Sequence, residues 1–159
     1  AAIAAEFGLG FAFAHHINPG GAPLALDVYR SSFRASRWLD RPRTILTAQA
    51  ICSETDKEAE HLASTFELAW IRLRSGRPAP LSPPDEASAY QYSAGEQEML
   101  KYARLHYFAG GPATLREKLL EHVNRVGADE LMIITTIYGH AQRIRSYELI
   151  AKSWPVEGK

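Results

Sequence analysis

Three stretches of this chain, Gly10–His16, Thr44–Cys52 and Glu130–Tyr138, are apolar on both alternating faces, and this restricts the available folds more than any other feature. An antiparallel strand with one wet face alternates in polarity. A strand without alternation is covered on both sides, as in a parallel sheet flanked by helices. Helical patterns lie between the three. Ala22–Phe33 places Leu24, Val28 and Phe33 at helical spacing behind Pro23, which suits a first turn. Thr55-Asp56-Lys57-Glu58 is a capping box, whose hydroxyl and carboxylate satisfy each other's unpaired backbone N–H groups, and it opens a helix to about Arg74. Leu62, Phe66, Ala69, Trp70 and Leu73 form the apolar stripe of that helix.

A second capping box, Ser93 with Glu96, opens a helix to about Leu105, and Pro112 and Gly127 bracket another over Ala113–Val126. Ala141–Trp154 closes the chain as a helix before Pro155, and Tyr107-Phe108-Ala109 reads as a short extended run. Four prolines between Arg77 and Pro84 make residues 77–92 a surface excursion. Buried strands alternating with helices define an α/β fold with right-handed crossovers. A doubly wound sheet and a (β/α) barrel share that order. All three strands end in polar or reactive residues (His15-His16, Cys52-Ser53-Glu54, Tyr138 with His140), as barrel sites at the C-terminal rim require. No GxGxxG or GxxxxGK[ST] follows a strand, which weighs against a nucleotide-binding doubly wound sheet. The expectation is therefore the C-terminal part of a (β/α)8 TIM-type barrel, with three main parallel strands and residues 1–159 as a single partial domain.

Composition narrows the classes further. The 159 residues are 46% hydrophobic, enough to bury a core, and 18 Lys+Arg balance 18 Asp+Glu, leaving no basic surplus for nucleic acid or an anionic membrane. The longest apolar run, Leu9 to His16, falls short of the ~20 residues that span a bilayer. Cys52 is the single cysteine and no CxxC occurs, which points to a reducing, cytoplasmic setting and away from structural zinc. The chain starts without Met or a positive leader, so Ala1–Phe7, stopped by Gly8, reads as the last turns of a helix at a cut end.

Several stretches, in order, carry a resemblance: Gly8-Leu9-Gly10-Phe11-Ala12-Phe13-Ala14-His15-His16 with Asn18-Pro19; Ala109-Gly110-Gly111-Pro112-Ala113-Thr114-Leu115-Arg116-Glu117; Gly127-Ala128-Asp129-Glu130-Leu131-Met132-Ile133; and Tyr138-Gly139-His140 with Arg143-Ile144-Arg145-Ser146. Together they resemble the C-terminal half of the luciferase-like, flavin-dependent monooxygenases. The resemblance implies a barrel whose first half, with the flavin phosphate loop, lies outside this sequence. It further implies reduced FMN and O2 acting on a small organic substrate, a flavin reductase as partner, or, in a related branch, hydride transfer by a deazaflavin.

On this resemblance His15 lies near the flavin ring as the catalytic residue, with Thr47, Gln49 and His140 as cofactor-binding residues. The residues also admit plainer readings. His15 can be a hydrogen-bonded structural histidine, Thr47 and Gln49 can bond across the barrel, and one of Thr135 and Thr136 faces in while the other faces the helices. His15 and His140 have no third ligand at recognisable spacing, so no metal is expected. Cys52 defaults to a small buried side chain, Ser53 lacks a GxSxG context, and Arg143 and Arg145 read as a solvated helix face. A non-catalytic alternative is a half-barrel that buries its open edges and inner face against a second copy, so a homo-oligomer is expected.

Overall fold

Strand β2 (Thr44–Cys52) organises the computed structural model, which describes residues 1–154. Around it, in chain order, come α1 (Ala2–Glu6), β1 (Phe11–Ala14), α2 (Ala22–Ser32), then α3 (Asp56–Arg74), α4 (Pro84–Ala89), α5 (Ala94–Ala103), β3 (Tyr107–Gly110), α6 (Pro112–Val126), β4 (Glu130–Ile134) and α7 (His140–Ser153). β1 pairs in parallel with Thr44–Thr47 and β3 in parallel with Gln49–Cys52, while β4 also pairs with β2. The chain forms two compact units. One holds Ala1–Ala48 with Leu120–Ile134, the other Gln49–Leu119 with the residues from Thr135 on.

In the first unit, one sheet face packs against helices: Ala22, Leu26, Leu46 and Val126 form its core, and Phe11, Phe13, Val123, Ala128 and Leu131 pack around them. Residues that alternate with these point the other way, and there Ala12 is exposed and Met132 is 50% exposed. Gly8 takes φ +60, where an added Cβ would meet the Arg34 carbonyl oxygen and Ser36, so the stop after α1 requires glycine. Arg30 donates to the Val126 and Gly127 carbonyl oxygens, capping α6 where its unpaired acceptors gather. At the start of β2 the Asp129 carboxylate accepts from the Thr44 N–H (2.7 Å) and hydroxyl (2.6 Å). Burial opposes the charge on Asp129, but these two bonds, with Arg43 and Arg30 nearby, hold its pKa below the usual range.

In the second unit, Ile51, Leu62, Ala63 and Ile137 make the core, bordered by Phe66, Tyr107 and Ala109. The Thr55 hydroxyl accepts from the Glu58 N–H and so caps α3, and the Ser93–Glu96 box closes in both directions at α5. Asp56 accepts from the Gly111 N–H (2.6 Å) and the Thr114 hydroxyl (3.1 Å), joining the starts of α3 and α6. The fully buried Ser146 of α7 accepts from the Cys52 N–H at 2.9 Å.

Three expectations change. There are four strands among the described residues, because β3 joins β2. The first strand ends at Ala14, whose carbonyl oxygen accepts from the Ile17 and Asn18 N–H groups and turns the chain. The strand expected over Glu130–Tyr138 ends at Ile134, and Thr135 then reaches β2 through its hydroxyl, donating to the Ala50 carbonyl oxygen at 2.8 Å. Within the 77–92 excursion, Pro84 starts α4, and the Thr65 and Ser64 hydroxyls tie Ser82 and Pro84 to α3. No described helix is long and apolar enough to cross a membrane.

Candidate functional site

His15 and His16 follow β1, in the turn after Ala14. His15 follows Phe11 and Phe13 onto the helix-packed face of the first unit. It is 4% exposed, and its ring centroid lies 4.2 Å from that of His122 on α6. The resemblance implies that His15 lies near a flavin ring; in the structure it lies on the face that α2 and α6 cover. His16 is half-buried, with Nδ1 3.4 Å from the Thr47 carbonyl oxygen, which also accepts the His15 backbone N–H at 3.0 Å.

His122, 3% exposed, faces the Arg125 guanidinium at 2.6 Å through Nδ1. A guanidinium only donates, so His122 Nδ1 accepts and the ring is neutral. Burial first, and Arg125 second, push the His122 pKa down, with Glu121 opposing. The folded chain therefore binds fewer protons here than the unfolded chain. Its contribution to stability is complete above the unfolded value near 6.5 and is lost as pH falls below it. Urea unfolding at pH 8 and pH 5 should show a lower midpoint at pH 5, with a weaker pH dependence in His122→Gln. An unchanged dependence in that variant would contradict this assignment.

Thr47, in the first unit, is 8% exposed. Gln49, in the second, is 3% exposed, and its Oε1 accepts from the Thr136 hydroxyl at 3.1 Å. Gln49 Nε2 is buried and has no hydrogen-bond acceptor among the described residues. A buried amide donor left this way costs about 1–3 kcal/mol, so a glutamine at this position is not explained by packing. Of the two threonines, Thr135 binds the Ala50 carbonyl oxygen and Thr136 binds Gln49. His140 is exposed at the first residue of α7, with Nδ1 accepting from Arg143 at 3.0 Å.

Cys52 is 1% exposed, and burial first, then Glu54, push its thiol up to about 11 against the pull of Arg145, so it is protonated and inert at neutral pH. Beyond it lies an open cleft of about 310 Å³, lined by Ser53, Glu54, Glu58, Ala141, Gln142 and Arg145. Arg145, read from the sequence as solvated, donates to Glu54 from Nε (2.8 Å) and Nη2 (2.5 Å) and to Glu148 from Nη1 (3.2 Å). The sequence signal for this cleft was the polar pair Ser53-Glu54 at the end of β2. Its partner Arg145 lies 91 residues further on. Among the described residues, no group of three or more His, Cys, Asp or Glu is placed to hold a metal.

No family model matches the chain. It is 33% identical over 149 residues to a luciferase-like monooxygenase of Escherichia coli K12, covering 94% of this chain and 44% of that protein. The crystal structure of apo-MsnO8 matches with a TM-score of 0.84 and 32% identity, over 96% of this chain and 46% of that one. The oxygenating constituent of 3,6-diketocamphane monooxygenase from Pseudomonas putida, a type II Baeyer-Villiger monooxygenase solved with FMN, shares the fold at a TM-score of 0.59 and 21% identity, over 96% and 43%. The chain thus spans about half the length of these proteins, and its parallel strands alternating with helices align to about half of luciferase-like TIM-barrel structures. By sequence and by fold, this chain is a homologue of the luciferase-like monooxygenase family, covering about 45% of the family's domain length.

Proposed function

We propose that the whole protein is a flavin-dependent monooxygenase that uses reduced FMN and O2 to oxidise a small organic substrate, with a flavin reductase as its source of reduced flavin. The observation that carries this reading is the 33% identity to a luciferase-like monooxygenase over 94% of the chain. When bound, reduced flavin supplies the electrons that activate O2, and the protein's part is to hold, orient and shield it. The residues present fit that group at one point above all: the unpaired, buried Nε2 of Gln49 suits a ring carbonyl oxygen. His140, in the same unit, would supply a further polar contact. His15, its ring tilted against that of His122, serves by holding the end of β1 against α6.

A second reading is favoured by Ala12 and the half-exposed Met132, on a sheet face that parallel strands ordinarily cover: a half-barrel that pairs with a second copy. Size-exclusion chromatography with light scattering, run with and without FMN, tests both. Co-elution of FMN, with quenching of its fluorescence, supports the enzyme reading. Failure of FMN to bind this chain or a longer protein containing it would end that reading. A monomer throughout the micromolar range removes the paired half-barrel.

A further inference from the structure

The cleft past Cys52 is lined by side chains that the flavin reading leaves without a role. Ser53 and Glu54 follow β2, Glu58 stands in the first turn of α3, and Ala141, Gln142 and Arg145 lie in the first two turns of α7, all within the second unit. This is the strand end at which barrel sites lie. The volume, about 310 Å³, is at the lower end of the roughly 300–1,000 Å³ of small-molecule sites. Ser53 is 6% exposed, yet its hydroxyl makes no hydrogen bond among the described residues. A polar side chain this buried is ordinarily paired.

Charge decides what would pair with such a lining. Arg145 offers little to an anion: Nε and Nη2 donate to Glu54 Oε1 and Nη1 donates to Glu148, so each nitrogen of the guanidinium already serves a carboxylate. The acceptors are less fully used. Glu54 Oε2 and both carboxylate oxygens of the exposed Glu58 accept no hydrogen bond among the described residues. With Glu54 balanced by Arg145, Glu58 leaves one negative charge over, and the N-terminus of α7 sets only about half a positive charge against it. An ammonium group carries three donors and no acceptor. We propose that this cleft binds a small organic ammonium ion, whose N–H groups donate to Glu58, to the free oxygen of Glu54 and to the Ser53 hydroxyl. A carboxylate or phosphate in the same place would meet Glu58 as a like charge. The site is independent of flavin and stands whether or not the chain binds FMN.

Titrating the isotopically labelled chain with n-butylammonium chloride tests the assignment, with the backbone N–H signals of Ser53 and Glu54 and the side-chain amide of Gln142 followed by nuclear magnetic resonance. These signals should move to saturation in the millimolar range, as fits an ion pair open to solvent. Butyrate, of the same chain length and opposite charge, should give no saturable shift, and n-butanol should bind at least fivefold more weakly. Glu58→Gln should weaken butylammonium binding at least fivefold and Ser53→Ala two- to threefold. The glutamine variant keeps the backbone N–H that Thr55 caps, so α3 still starts as before, and circular dichroism checks that both variants fold. The assignment is overturned if butylammonium gives no saturable shift, or if butyrate or n-butanol binds as tightly. It is overturned equally if folded Glu58→Gln and Ser53→Ala both retain the wild-type affinity.

Discussion

Replacing Tyr29 with alanine should lower the free energy of unfolding by about 4 kcal/mol, in the range for removing a buried aromatic side chain. Tyr29 is fully buried on α2, with its ring 5.3 Å from Phe11 and 5.7 Å from Phe33, so truncation opens a cavity between strand and helix. Its hydroxyl adds a second effect. It donates to the Leu9 carbonyl oxygen at 2.8 Å and accepts the Arg43 N–H at 3.0 Å, tying together the segments that lead into β1 and β2. Tyr29→Phe keeps the ring and strands those two backbone groups, which should cost about 1–3 kcal/mol. Urea unfolding followed by circular dichroism separates the two parts. A phenylalanine variant as unstable as the alanine variant would show that the ring contributes little, contrary to the packing seen here.

How much of this was legible in the sequence varies with the range of the interactions involved. β2 runs from Thr44 to Cys52 as read, because Pro42 precedes it and the Thr55 cap follows, both local signals. The caps of α3 and α5 are likewise local chemistry, three residues from end to end, and both form. β3 was weaker in the sequence, since four residues with Gly110 and Gly111 beside them carry too little periodicity to distinguish a strand from a loop. The helix α4 is hidden among prolines that ordinarily break regular structure, although Pro84 stands at a first turn, where the missing N–H does no harm.

The site was less legible. His15 and His16 lie in the turn past Ala14, where strand alternation no longer decides which way a side chain points, and the face that α6 covers depends on Val123 and Val126, far along the chain. The same holds for Gln49. Its presence on a buried strand was visible, whereas the unpaired donor follows from a bond to Thr136, 87 residues away, that engages only one end of the amide.

Glu67 should show the second large effect, about 3 kcal/mol on replacement by leucine, the upper end for a charged hydrogen bond. This carboxylate of α3 is 7% exposed, and its Oε1 accepts from the Tyr107 hydroxyl at 2.6 Å and from Arg104 Nε at 2.8 Å. The two donors are not equivalent. The Arg104 side chain is 61% exposed and rehydrates once released, so its ion pair contributes little. The Tyr107 hydroxyl has no such recourse: burial first, and then its bond to Glu67, push its pKa well above the usual tyrosine value, so it stays a neutral donor that needs an acceptor. A hydrogen bond to a charged group contributes about 1.5–3 kcal/mol, and a buried hydroxyl left unpaired adds to the loss. Glu67→Gln retains an acceptor oxygen and should cost roughly 1 kcal/mol by the same reasoning. The double variant Glu67→Leu with Tyr107→Phe removes both partners and should be more stable than Glu67→Leu alone, a sign that separates an orphaned hydroxyl from lost helix packing. Tyr92 supplies an independent check. Burial first, and then the Glu67 charge, raise it to about 12, so an alkaline ultraviolet titration should show a tyrosine ionising at lower pH in Glu67→Gln than in the wild-type chain. If Tyr107→Phe gives no relief when combined with Glu67→Leu, the hydroxyl is satisfied elsewhere and the cost belongs to the repacking of α3.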